Sequence, residues 1–192
     1  MAGTAVAARL LTADDFLAYP EDPGGRKLEL LDGRVVVVSQ PGFEHGAIAG
    51  NTRDALSAFS RTHRLGRVGS DTGFKLRSDP DRVVNPDAFF ASREAIRTII
   101  DVVKAIPVAP TLAVEVMSPN DTAAEIASKV TEYLAAGSQR VWVVRPRQQT
   151  VTVHRADGAV RYLRTGDTLT SDDAGFAVDG FALPLADVFA LE

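Results

Sequence analysis

The chain contains no cysteine. That excludes a disulfide framework and any zinc site built on thiolates, and it fits an intracellular, cytoplasmic location. Histidine is scarce, with three residues in 192, and His63 and His154 lack metal-ligand spacing with one another. No apolar run approaches the roughly 18 residues of a membrane span. The stretch MAGTAVAARLLTADDFLAYP lacks the length and flanks of a secretory signal. Excess positive charge is missing too: 21 basic residues against 25 acidic leave a net −4. A nucleic-acid partner would therefore have to be held by a local basic surface and not by the field of the whole molecule. GxGxxG, P-loop and nucleophile-elbow patterns are absent, which removes the common nucleotide-binding and serine-hydrolase motifs.

What is present suits an ordinary folded chain. At 45% hydrophobic and 24% charged, there is enough apolar material for a core that needs no metal or disulfide to form. The length fits one domain over 1–192 with its core near 12–188. Thr12 followed by two aspartates predicts a short helix over 12–19. Asp32-Gly33 between apolar runs predicts a hairpin over 27–39, ended by Pro41-Gly42. Ile48, Ala55, Leu56 and Phe59 predict one amphipathic helix over 44–63. A strand with a Gly-centred irregularity is expected over 67–77, and a second strand containing Pro86 over 82–92. Residues 93–105 read as either a helix or a partly ordered loop. Then come a strand around LAVEV, a helix from Asn120 to Gly137 and a strand RVWVV, a unit whose outer strands should be parallel. A hairpin around Asp157-Gly158 and a tail of short strands with a last helix complete an α+β pattern.

The LAVEV strand poses the chemical question. Side chains alternate faces, so Leu112, Val114 and Val116 share one side while Ala113, Glu115 and Met117 share the other. A carboxylate in a core strand needs a partner or an ion. Either backbone donors or an Arg satisfy Glu115, or it is a metal ligand or general base. Asp87, after Pro86, is a second acid in a similar setting; a Pro-Asp pair is either a simple turn or an irregular strand start that aims a side chain at a shared site. Two acids on neighbouring strands would offer hard oxygens to Mg²⁺. On the following helix, Ile126, Val130, Tyr133 and Gly137 define the inward face, and Lys129 lies at roughly −60° from Ile126. It either snorkels toward the sheet or pairs on the surface with Glu125, four residues earlier.

The ordered set ELLDG, HGAIAG, VVNPDAFF, LAVEVMSP, Lys129 with EYLAAG, and VWVV resembles the Uma-type restriction endonuclease family of the PD-(D/E)XK nuclease superfamily. The resemblance runs over roughly residues 12–188 and rests on the order and spacing of the motifs together. It implies a restriction-endonuclease-like α/β core with a mixed central sheet flanked by helices. It implies Asp87 and Glu115 as metal-binding acids for Mg²⁺ or Mn²⁺, and Lys129 as the superfamily's lysine moved from strand to helix. DNA would be the substrate, with a homodimer addressing two strands. Met117 stands where the superfamily usually has its lysine, and Thr111 where the family often has an Asp.

Glu29 in the first hairpin could add a further acid, or be an exposed strand residue. His45 could hydrogen-bond phosphate or Glu29, or simply pack at a helix start. Arg61, Arg64, Arg67, Lys75 and Arg77 form a possible phosphate-tracking surface or a solvated face. Trp142 reads as core. The expected function is metal-dependent hydrolysis of DNA phosphodiesters; the alternative is a degenerate nuclease fold serving as a nucleic-acid or protein interaction module.

Overall fold

The computed structural model describes residues 9–38, 42–99 and 105–192. The first helix, α1 (Ala13–Leu17), opens with a capping box in which Thr12 and Asp15 satisfy each other's backbone N–H groups. Strands β1 (Leu28–Leu31) and β2 (Arg34–Val37) form the expected hairpin. Its Asp32 and Gly33 both have positive φ (54° and 71°), the pairing that matches strand twist in a two-residue turn. The expected stop at Pro41 lies outside the described residues. Helix α2 (Phe43–His63) follows.

The next 30 residues differ from expectation. The stretch 67–77 divides into β3 (Gly66–Gly69) and β4 (Phe74–Arg77), and 82–92 into β5 (Arg82–Val84) and β6 (Ala88–Ser92). Each pair belongs to two different sheets: β4 and β5 join the hairpin in the order β2-β1-β5-β4, while β3 and β6 join a larger sheet. The chain thus crosses between sheets twice, at Ser70–Gly73 and at Asn85–Asp87. Helix α3 covers only Arg93–Arg97; residues 100–104 of the segment left open between helix and loop lie outside the described residues.

The larger sheet is completed by β7 (Leu112–Val116), β8 (Arg140–Arg145), β9 (Thr150–Arg155) and β10 (Val160–Arg164). Its order is β10-β9-β8-β7-β6-β3. Strands β7 and β8 are parallel, joined by α4 (Ala123–Ala135), and the other pairs are antiparallel, which makes the sheet mixed. The parallel pair follows from the 13-residue helix between them, since parallel neighbours need a crossover. The tail forms a two-stranded ribbon, β11 (Thr168–Thr170) with β12 (Ala182–Pro184), and short helices α5 (Ser171–Ala174) and α6 (Leu185–Val188).

The alternation of β7 decides what packs where. Leu112, Val114 and Val116 share a core with Ile48 and Leu56 of α2, Trp142 and the C-terminal elements. Ala113, on the opposite face, joins Val141 and Val143 against Ile126, Val130 and Tyr133 of α4 and Val84 of the smaller sheet. Helices therefore cover both faces of the mixed sheet, and the four-stranded sheet adjoins α4 on the second face. Arg82 of β5 forms an ion pair with Glu132 of α4 across that junction. Among the described residues no helix is long and apolar enough to cross a membrane.

Candidate functional site

Glu115 projects from β7 toward α4 and the smaller sheet, on the face of Ala113. Ala88 pairs with Val114 and Phe89 with Ala113, and Asp87 stands just before β6, against the part of β7 that carries Glu115. Pro86 explains how an acid reaches that place. It contributes no N–H, and it holds Asn85 extended, just where the chain leaves one sheet for the other. The Asp87 N–H still donates to the Val114 carbonyl at 3.0 Å, and Asp87 Oδ2 accepts from the Val116 N–H at 2.8 Å. The acid is thus pinned to the strand that carries its neighbour.

Lys129 turns inward. Its Nζ donates to Glu115 Oε2 at 3.1 Å and to Glu29 Oε1 at 3.3 Å. The surface pair with Glu125 is not what the helix uses this lysine for: Glu125 closes the capping box with Thr122 at the start of α4. Glu29 is only 2% exposed, which replaces the view of it as an exposed strand residue. Its Oε1 also accepts from the Asn85 N–H at 3.2 Å. One ammonium therefore joins an acid from β1 of the smaller sheet to an acid from β7 of the larger one.

His45, in the first turn of α2, reaches neither Glu29 nor open solvent as its main partner. Its Nε2 lies 3.3 Å from Asp87 Oδ2. Two further contacts complete the site. The buried Tyr133 hydroxyl donates to Glu115 Oε1 at 2.8 Å, and Lys27 Nζ lies 3.9 Å from Asp87 Oδ1. The sequence holds a signal for Tyr133, which falls on the inward face of its helix, since a buried tyrosine hydroxyl needs a partner. Lys27, just before β1, carried no comparable mark.

The charges shape one another. Burial is the largest influence on Glu115 and, with Asp87 and Glu29 adding to it, outweighs Lys129 and Tyr133, so its carboxyl is pushed up to about 7. Burial alone would lower Lys129, but Glu115 and Glu29 hold the ammonium above the ordinary lysine range. Burial would also raise Asp87; the His45 and Lys27 charges and the Val116 N–H overcome it and hold this acid below the usual carboxylate range. His45 is raised in turn, because Asp87 outweighs its burial. Two adjacent acids thus have their proton affinities driven apart, the arrangement that lets one stay ionised while the other exchanges a proton near neutrality. Tyr133 is raised well above its usual value by burial and by Glu115, and stays a donor.

All five side chains singled out from the sequence (Glu29, His45, Asp87, Glu115 and Lys129) line one cleft of about 500 Å³, together with Lys27 and the strip Val36–Val38. Among the described residues, no group of three or more His, Asp or Glu side chains is arranged to hold an ion. The basic residues around the end of α2 do not join the cleft. Arg61 is roughly 24 Å along the helix from His45 at 1.5 Å per residue, Lys75 is paired with Asp81 at 2.8 Å, and Arg77 with Asp32. Trp142 is fully buried, its Nε1 donating to the Asp173 carbonyl at 2.7 Å.

No curated protein matches this chain. Among solved structures, the fold is similar to that of "a putative nuclease belonging to DUF820" from Anabaena variabilis, with a TM-score of 0.75 and 20% identity over 94% of this chain and 98% of that one. At that identity the likeness is one of fold. Residues 13–185, a span holding every acid and base of the cleft, match the Uma2 family, described as "Putative restriction endonuclease", and the chain belongs to that family.

Proposed function

We propose that this chain is a metal-dependent endonuclease that hydrolyses DNA phosphodiester bonds, with Asp87 and Glu115 holding Mg²⁺ or Mn²⁺. The observation that carries it is that Asp87, tied to the Val116 N–H beside Glu115, lines one cleft with Glu115, where Lys129 is already bonded to Glu115. The donor set suits the ion. Both acids present hard oxygens, Lys27 stands back from Asp87 Oδ1 at 3.9 Å, and a carboxylate oxygen that accepts one bond, as each Glu115 oxygen does from Lys129 or Tyr133, has a further lone pair to offer. With two protein acids, water and phosphate oxygens would have to supply the remaining ligands.

When bound, such a cation supplies Lewis acidity toward a phosphoryl oxygen and toward water. The chain's own side chains do the rest. Lys129 brings fixed positive charge to the place where charge develops on the phosphoryl group, which matters because a phosphodiester is anionic and its leaving group poor. Glu29 holds that ammonium from the other sheet. Tyr133 fixes the orientation of Glu115, and His45 with the Val116 N–H fixes Asp87, so neither acid must reorganise when substrate arrives.

Plasmid cleavage with Mg²⁺, Mn²⁺ or EDTA tests the proposal. Cleavage in either metal, abolished by EDTA, by Asp87→Ala and by Glu115→Ala, is the expected result. Activity that survives both substitutions would place the chemistry elsewhere. A second reading is favoured by one feature: Met117 occupies the position where the superfamily usually carries its lysine. A domain that binds DNA and never cuts it would support that degenerate, interaction-only form.

A further inference from the structure

The cleft holds one more ammonium for which hydrolysis has no use so far. Lys27 Nζ donates to the Asn85 carbonyl at 2.6 Å, lies 3.4 Å from Asp71 Oδ1, and faces Asp87 Oδ1 at 3.9 Å. We propose that Lys27 is a phosphate-binding residue for the DNA backbone, and that Asp71 occupies the phosphate's place in the free protein. The identity of the polyanion rests on the nuclease reading; the exchange at Lys27 rests on the contacts.

An ammonium has three donors. The bond to Asn85 fixes where Lys27 points, and Asp87 is pinned by the Val116 N–H and His45, which leaves Asp71 as the partner that can leave. Asp71 is 74% exposed on its side chain, against 21% for Lys27. It sits on the Ser70–Gly73 crossing with φ of 49°, at the rim of the cleft. A pair with one partner so exposed contributes little, so a phosphate of the same sign can replace the carboxylate at small net cost. Lys129 attends Glu115 and Glu29 while Lys27 attends Asp87. The two lysines therefore offer a strand two separate anchoring points in a cleft whose other charged walls are mainly acidic.

The test is duplex oligonucleotide binding by fluorescence anisotropy in Ca²⁺, across a salt series. Lys27→Gln should weaken binding about tenfold and lower the slope of log affinity against log salt by about one, as the loss of one phosphate contact does; a merely structural lysine would not move that slope. Lys27→Arg should retain it. Asp71→Asn, which keeps a residue type tolerant of left-handed backbone, should tighten binding, and that gain should vanish in the Lys27→Gln background. An unchanged slope in Lys27→Gln overturns the assignment. A gain from Asp71→Asn that persists without Lys27 overturns the exchange and leaves general charge repulsion as its cause. Wild-type protein that shows this Lys27 dependence yet never cuts in Mg²⁺ or Mn²⁺ would sink the nuclease reading alone. Cutting with a normal slope in Lys27→Gln would sink the Lys27 assignment alone, and no duplex binding at all would sink both.

Discussion

Replacing Glu115 by glutamine isolates what a buried charge costs this fold. Burial, helped by Asp87 and Glu29 and opposed by Lys129 and Tyr133, moves the carboxyl from its ordinary 4.5 up to about 7. Between those values the folded chain keeps a proton that the unfolded chain has released. Stability linked to that proton is fully present below the unfolded value and is lost as pH rises through the folded one. At about 1.4 kcal/mol per unit, the loss comes to about 3 kcal/mol. Glutamine has nearly the same shape, keeps an oxygen for the Tyr133 hydroxyl, and carries no charge to bury. Urea unfolding of both proteins in EDTA, from about pH 5 to about pH 8, should show them similar at the acid end. At the alkaline end the variant should be the more stable by about 3 kcal/mol. EDTA matters, because a bound cation favours the ionised acid. By calorimetry the variant should no longer bind Mn²⁺. A stability gap that stays constant with pH would refute the buried-charge account. Unchanged Mn²⁺ affinity would remove Glu115 from the cation site.

Lys129→Met should keep Mn²⁺ binding but lower cleavage by about 100-fold or more; single-turnover plasmid assays read it. The same change strips two buried acids of their shared cation and should cost about 3–5 kcal/mol at pH 8, less toward pH 5 as Glu115 takes up its proton. Tyr133→Phe deprives Glu115 of a donor inside the core, so urea unfolding should show a loss of about 1–3 kcal/mol, and calorimetry a Mn²⁺ affinity weaker by about tenfold. His45→Asn removes an interaction that holds the Asp87 carboxyl low. Asp87 contributes stability that is present above its unfolded value and lost as pH falls through its folded value. Acid unfolding followed by circular dichroism should therefore begin at a higher pH in the variant; an unshifted acid limb would mean that Asp87 does not depend on the histidine.

Local sequence carried the elements whose signals are local. Thr12 and Thr122 announced their helices because a capping box is a contact across three residues, and Asp32-Gly33 announced its hairpin because the turn demands positive φ. The β7-α4-β8 crossover was legible because apolar period and helix length together force a parallel pair. The two sheet crossings were not. Phe74 and Lys75 look like a continuation of Val68 in sequence, yet they pair with β5 and not with β6, and long-range pairing of that kind leaves no local mark. Lys129 shows the same limit at the site: helical spacing brought both Glu125 and the sheet within reach of it, and only the tertiary position of Glu29 and Glu115 decides between them. The loop cation Lys27 carries no local mark because its partners, Asp71, Asn85 and Asp87, lie more than 40 residues away.

Lys129 bridges acids contributed by two different sheets. This machinery therefore has no existence inside either half alone, and the span between its ammonium and the two carboxylates works as a gauge of how well the halves are seated. If the small hairpin sheet lifts slightly under mild denaturant, the bridge stretches before the large sheet melts. Turnover should then fade at lower urea than the loss of overall secondary structure, in the manner expected when one cooperative unit opens ahead of the whole.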